Sequence, residues 1–98
     1  MPLTVGVPLE IKSDERRVAL TPDGVRELRQ RDVPVLVESG AGAGAGLADD
    51  DYLGAGAEVV RTADEVWERS SLVCKVKEPQ VSEFAYLRPD LTLFTFLH

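Results

Sequence analysis

Short apolar, β-branched runs recur along this chain, each followed by a helix start, and this alternation restricts the fold more than any other feature. Residues 3–7 (L-T-V-G-V) read as a strand stopped by Pro8. Thr21-Pro22 supplies an N-cap followed by proline at the first helical position. With Val25 and Leu28 at helical spacing, it predicts a helix over 22–31. Residues 33–38 (V-P-V-L-V-E) read as the next strand, with Pro34 confined to its beginning. The glycine-rich stretch 40–46 leads into Asp49-Asp50-Asp51. Three carboxylates there suit the positive end of a helix dipole, and that helix should end near 54–56. A short strand follows at 58–60. Thr62 and Glu65 then form a capping box opening a helix that carries Val66 and Trp67. Residues 72–76 read as a buried strand, 81–87 as a short helix and 91–97 (L-T-L-F-T-F-L) as a final strand.

The order β-α-β-α-β-α-β-α-β predicts an α/β protein: an open five-stranded parallel sheet with helices on both faces, of Rossmann/flavodoxin-like type. Ninety-eight residues suffice for one such domain and not for two. Ligands of open parallel sheets bind outside the carboxyl ends of the strands, so functional groups are expected in the loops that leave them.

Composition narrows the partners. A net charge of −6, with acidic residues dispersed, opposes nucleic acid and anionic membrane as partners. Arg26, Arg29 and Arg31 are interleaved with Glu27 and Asp32, as on a solvated helix face. No apolar run approaches the ~18–20 residues of a membrane span. The first residues lack a basic segment followed by an apolar one. Cys74, the single cysteine, lies in an apolar run and is expected to be buried and reduced. A cytoplasmic location is expected. One histidine and one cysteine give no metal-ligand spacing, so no metal is expected.

Gly40, Gly42, Gly44 and Gly46 invite a dinucleotide-binding reading, but their spacing is G-x-G-x-G-x-G. The fingerprint requires G-x-G-x-x-G, and Ala45 stands where its third glycine belongs. A flexible turn between strand and helix is expected, with no cofactor-binding residue in this chain.

Three polar residues fall at strand ends: Arg17 after the first strand, Lys77 just past the fourth and His98 at the end of the fifth. Singly, each has an ordinary explanation: a surface arginine, lysines 75 and 77 alternating outward around Val76, a terminal residue. Together, a guanidinium, an ammonium and an imidazole can converge on one small anion. Arginine offers a bidentate fork for a carboxylate. Lysine can polarise a carbonyl, and histidine can exchange a proton near neutral pH. That set suits a 2-amino or 2-oxo acid. Glu10 and Glu15 flank the loop and are expected to brace its arginines.

These residues lie within a run of motifs: V-G-V-P-x-E-I-K at 5–12, E-R-R-V-A-L-T-P at 15–22 and V-E-S-G-A-G at 37–42. A-G-A-E-V-V follows at 55–60, A-D-E-V-W at 63–67, K-V-K-E-P at 75–79 and L-F-T-F-L-H at 93–98. In this order they resemble the N-terminal domain shared by alanine dehydrogenases and the nicotinamide nucleotide transhydrogenase alpha subunit. K-V-K-E-P and F-T-F-L-H resemble the alanine dehydrogenase branch. The resemblance implies reversible NAD-linked oxidative deamination of L-alanine to pyruvate and ammonia. Arg17 and Lys77 would bind substrate, and Lys77 and His98 would serve catalysis. It further implies that 98 residues form an incomplete substrate domain, without the later cofactor domain and its catalytic aspartate, so that NAD belongs to a full-length homo-oligomer and this chain alone does not turn over. The alternatives are a transhydrogenase alpha-subunit or saccharopine dehydrogenase-like domain, a free-standing binding module for a small 2-oxo acid, and a domain serving only oligomerisation.

Overall fold

Helix starts fall where side chains can accept the otherwise unpaired amides of a first turn. In the computed structural model, which describes residues 2–96, the Thr21 hydroxyl accepts from Gly24 N at 3.3 Å, opening helix α1 (Pro22–Gln30). The Thr62 hydroxyl accepts from Glu65 N at 3.3 Å and opens α3 (Ala63–Arg69). Between them α2 (Asp49–Ala55) begins after Ala48, whose amide donates to the Asp51 carboxylate at 2.8 Å. It ends at Gly56, whose φ of 103° carries the chain into the left-handed region. Gly56 N and Ala57 N there bond back to the carbonyls of Leu53 and Tyr52.

The strands β1 (Val5–Val7), β2 (Val35–Glu38), β3 (Glu58–Val60), β4 (Leu72–Lys75) and β5 (Thr92–Thr95) form one parallel sheet in the order β3-β2-β1-β4-β5. This is the expected architecture. Four of the five strands are shorter than the apolar runs suggest: they begin at 5, 35 and 92 rather than at 3, 33 and 91, β4 ends at Lys75, and the expected end at 97 lies outside the described residues. The expected helix over 81–87 is a 3-10 helix, Val81–Tyr86. A shorter 3-10 turn, Ala43–Ala45, lies within the glycine stretch.

Alternation along the strands divides the core. Val5, Val7, Val35 and Val37 face Val25 of α1 and Tyr52 and Ala55 of α2. The buried Tyr52 hydroxyl donates to the Leu20 carbonyl at 2.8 Å, tying α2 to the segment before α1. On the opposite face Leu36 and Val60 meet Val66 of α3. Cys74 is only half-buried; even so, burial pushes its thiol pKa up.

β1 occupies the middle. The chain builds outward through β2 and β3, then returns by α3 to lay β4 on the other side of β1. The loops leaving β1 and β4 therefore run apart and open a crevice at the carboxyl edge of the sheet.

Gly6 is what lets α3 lie close on β1. A Cβ there would stand 2.0 Å from Ser70 Oγ and 2.9 Å from Val66 Cγ1. Gly6→Ala is expected to lower unfolding stability by about 1–3 kcal/mol through overpacking, read as a fall in the urea midpoint; an unchanged midpoint would show that α3 is not seated this tightly.

Candidate functional site

The loop from β1 to α1, residues 8–20, is fastened to its neighbours at several points. Leu9 N donates to Glu38 Oε1 at the end of β2, 2.9 Å away. Lys12 Nζ reaches Glu78 Oε1 at 2.5 Å, linking this loop to the one leaving β4, and this contact holds the Glu78 carboxyl down to about 2. Glu15 N closes a turn on the Lys12 carbonyl at 3.1 Å, with Asp14 in the left-handed region at φ 67°. The glycine stretch packs against the same loop. A Cβ on Gly44 would lie 2.8 Å from the Arg16 carbonyl oxygen and 3.0 Å from its Cα. The expected flexible turn is thus a close backbone contact that shapes the arginine loop.

The crevice holds an open cavity of about 370 Å³ bordered by Lys12, Glu15, Arg16, Arg17 and Lys77. With Asp14 its walls carry four cationic and two anionic side chains, a net of +2 in a chain whose total is −6. A larger hollow of about 560 Å³ lies at the opposite, amino-terminal rim of the sheet. Its Arg69 is forked onto Glu58 by two 2.9 Å bonds, so those charges answer each other. The carboxyl-edge cavity carries the larger cationic excess, since Arg29 and Arg69 stand against Glu58 alone at the amino-terminal hollow, a net of +1.

Arg17 and Lys77 meet there across one carboxylate. Glu15 accepts from Arg17 Nε at 3.0 Å, Arg17 Nη2 at 2.9 Å and Arg17 N at 2.8 Å, while Lys77 Nζ stands 3.8 Å from its Oε1. The Glu15 side chain is only 4% exposed, against 60% for Arg17. The Arg17 guanidinium bonds, helped by the Lys77 charge and opposed by desolvation, bring the Glu15 carboxyl from 4.5 to about 2. Glu15 therefore braces Arg17 as expected and stays ionised. His98 falls outside the described residues.

Below this layer the structure departs from the sequence reading. Lys75, expected to alternate outward with Lys77, has a side chain only 1% exposed. Its Nζ lies 3.1 Å from Glu10 Oε1 and 3.5 Å from Glu83 Oε2 on the 3-10 helix. Glu10 does not brace the arginines. It accepts from Val76 N at 2.8 Å and Lys77 N at 3.3 Å as well as from Lys75. The grouping of Glu10, Lys75 and Glu83 is not legible in the sequence because its members are remote from one another; the buried ammonium is met here by two carboxylates from other elements, and no local pattern shows that.

The glycine stretch does not suit a pyrophosphate. A Cβ on Gly42 would meet the Tyr52 ring at 2.7 Å and Leu47, and Gly44 abuts Arg16, so neighbouring residues fill the space these glycines leave. The following helix start presents Asp49, Asp50 and Asp51, and Asp49 already accepts from Gly40 N and Ser39 Oγ. Those bonds from the Gly40 amide and the Ser39 hydroxyl hold the Asp49 carboxyl below its usual range.

The sequence profile of the alanine dehydrogenase/PNT N-terminal domain matches residues 6–98. The chain belongs to this family. It is 50% identical over 96 residues to an alanine dehydrogenase of Mycolicibacterium smegmatis and 49% identical to that of Bacillus subtilis. These alignments cover 98% of this chain but 26% and 25% of those proteins, so it spans about a quarter of their length. Among solved structures, an L-alanine dehydrogenase superposes with a TM-score of 0.93 at 48% identity, covering 98% of this chain and 26% of that one. A transhydrogenase from Sinorhizobium meliloti superposes at 0.86 and 30% identity, covering 96% and 28%. Among these relatives of an alanine dehydrogenase/PNT N-terminal domain, the dehydrogenases stand nearer in sequence and in shape.

Because the folded pKa of Glu15 lies below its unfolded value, its contribution to stability is present above pH 4.5 and is lost as pH falls toward 2. In Arg17→Gln the Glu15 carboxyl carbon should titrate nearer 4.5 by NMR, with the acid-side loss of stability correspondingly reduced. A midpoint staying near 2 would show that Arg17 is not the cause.

Proposed function

We propose that this chain supplies the substrate side of an NAD-linked L-alanine dehydrogenase, which interconverts L-alanine with pyruvate and ammonia. The observation that carries the reading is the convergence of Arg17 and Lys77, from the loops after β1 and β4, on a single carboxylate at the sheet's carboxyl edge. The likeness to alanine dehydrogenases over nearly the whole chain supports it.

Arg17 is the group to hold the substrate carboxylate, its guanidinium already oriented by Glu15. Lys77 is the group to neutralise charge on the oxygen of the 2-oxo acid as the carbonyl forms. His98, outside the described residues, is assigned the proton transfer by its place in the family motif. The nicotinamide cofactor accepts or returns hydride in the whole enzyme, and we assign its binding to sequence other than these 98 residues. A cytoplasmic, homo-oligomeric full-length enzyme completes the reading.

The full-length gene product should reduce NAD with L-alanine and consume pyruvate in the reverse direction. Arg17→Gln and Lys77→Ala should each lower kcat/KM for pyruvate by about 10–100-fold, the worth of a hydrogen bond to a charged group. Absence of L-alanine-dependent reduction, or unchanged kinetics in both variants, would refute the assignment. The purified 98-residue chain should give no turnover with L-alanine and NAD. Activity of that chain would place the cofactor's site within it.

A further inference from the structure

We propose that Glu10 is the positioning residue for Lys77. The inference rests on the reading of the crevice as a carboxylate-binding site and adds to it the element that sets its lysine. Glu10 leaves the loop after β1 and turns inward, and its carboxylate is received by three consecutive residues where β4 ends. Oε1 lies 3.1 Å from Lys75 Nζ and 3.3 Å from Lys77 N, and Oε2 lies 2.8 Å from Val76 N. Two successive amides aimed at one anion form a small backbone nest, here filled by the protein's own carboxylate.

The consequence is geometric. β4 stops at Lys75, and among the described residues it is Glu10, rather than a strand neighbour, that receives the amides of Val76 and Lys77. Lys77 leaves that anchored backbone for the cavity, where its Nζ stands 3.8 Å from Glu15. The same eight-residue span of loop that carries Glu10 carries Arg17, so one segment fixes the lysine by its first end and presents the arginine at its second. Lys75 supplies the countercharge beside this buried carboxylate, shared with Glu83 on its other side.

A role in stability alone makes a different prediction from a role in positioning. Glu10→Gln keeps the size of the side chain but replaces one of the two acceptor oxygens by a donor, so the amides of residues 76 and 77, received by separate oxygens of Glu10, can no longer both be met in that geometry. Glu83→Gln weakens the same buried ion pair from the far side, keeps an acceptor for Gln80 N and leaves the bonds to residues 76 and 77 in place. In the full-length gene product, pyruvate affinity is measured by titration calorimetry and Tm by calorimetric melting. Both variants should lower Tm. Glu10→Gln should also weaken pyruvate by on the order of tenfold, whereas Glu83→Gln should change it less than about twofold. Affinity losses that track the loss of Tm in both variants, or no loss in Glu10→Gln, overturn the proposal. Hydrogen exchange followed by mass spectrometry on the peptide spanning 72–80 gives a readout that needs no ligand. At least one additional fast-exchanging amide in Glu10→Gln, but not in Glu83→Gln, supports the proposal, and equal exchange in both overturns it. If the unmodified protein fails to bind pyruvate, the substrate reading falls, and exchange alone decides whether Glu10 anchors residues 76 and 77.

Discussion

A parallel sheet cannot join neighbouring strands by a hairpin, so each adjacency must come from a crossover, and one adjacency here has no short route. Val5 and Gly6 lie beside Leu72 and Val73, with two strands and three helices intervening in sequence. That pairing of β1 with β4 makes β1 central, sends the two following loops apart and leaves the crevice between them. Gly6 is part of the same constraint. α3 must cross over β1 to deliver β4, and a side chain at this position would hold it off. Arg17 and Lys77 are neighbours in space because β1 and β4 are neighbours in the sheet.

The electrostatics follow from what is placed beneath the crevice. A chain of net charge −6 presents a cationic cavity because Lys12, Arg16, Arg17 and Lys77 line it against only Asp14 and Glu15, while Glu10 and Glu83 are turned inward beneath it. Glu10 and Glu83 enclose Lys75, and Glu38 lies close enough for the charges of Glu83 and Lys75 to act on it. Burial, reinforced by Glu83, raises the Glu38 pKa, with Leu9 N and Lys75 opposing it. Such a set is not an efficient source of stability, since apolar packing of similar volume does as well or better. Its effect is directional: a carboxylate accepting from two amides and an ammonium admits few backbone arrangements, so the end of β4 is defined more narrowly than apolar contacts would define it.

Local signals in the sequence were enough for the elements and their order. Thr21 and Thr62 cap the helices their spacing announces, Gly56 ends α2, and the run 58–60 is a strand with the same limits. The site was legible only where its chemistry is also local: Glu15 bracing Arg17 is a contact between residues two apart. The alternation that places Lys75 and Lys77 on one side is a property of an isolated strand. It fails because β4 ends at Lys75, and because Glu10 and Glu83 make an inward ammonium tolerable. Gly44 against Arg16 was hidden for the same reason, since composition shows the glycines but not what approaches them.

Charge at the crevice also bears on which form of a substrate it favours. Arg17 and Lys77 bring two positive charges and Glu15 one negative charge, a net of +1 over these three side chains. A 2-oxo acid monoanion would neutralise it. A zwitterionic 2-amino acid brings the same carboxylate together with an ammonium that Lys77 would repel, so its deprotonated amine fits the contact better. In the proposed reading these side chains therefore favour the oxo acid, and the binding of the amino acid is coupled to loss of a proton. Glu15 sharpens this preference. By holding the guanidinium in one orientation before any ligand arrives, it lowers the conformational entropy lost on binding without cancelling the field that selects the anion.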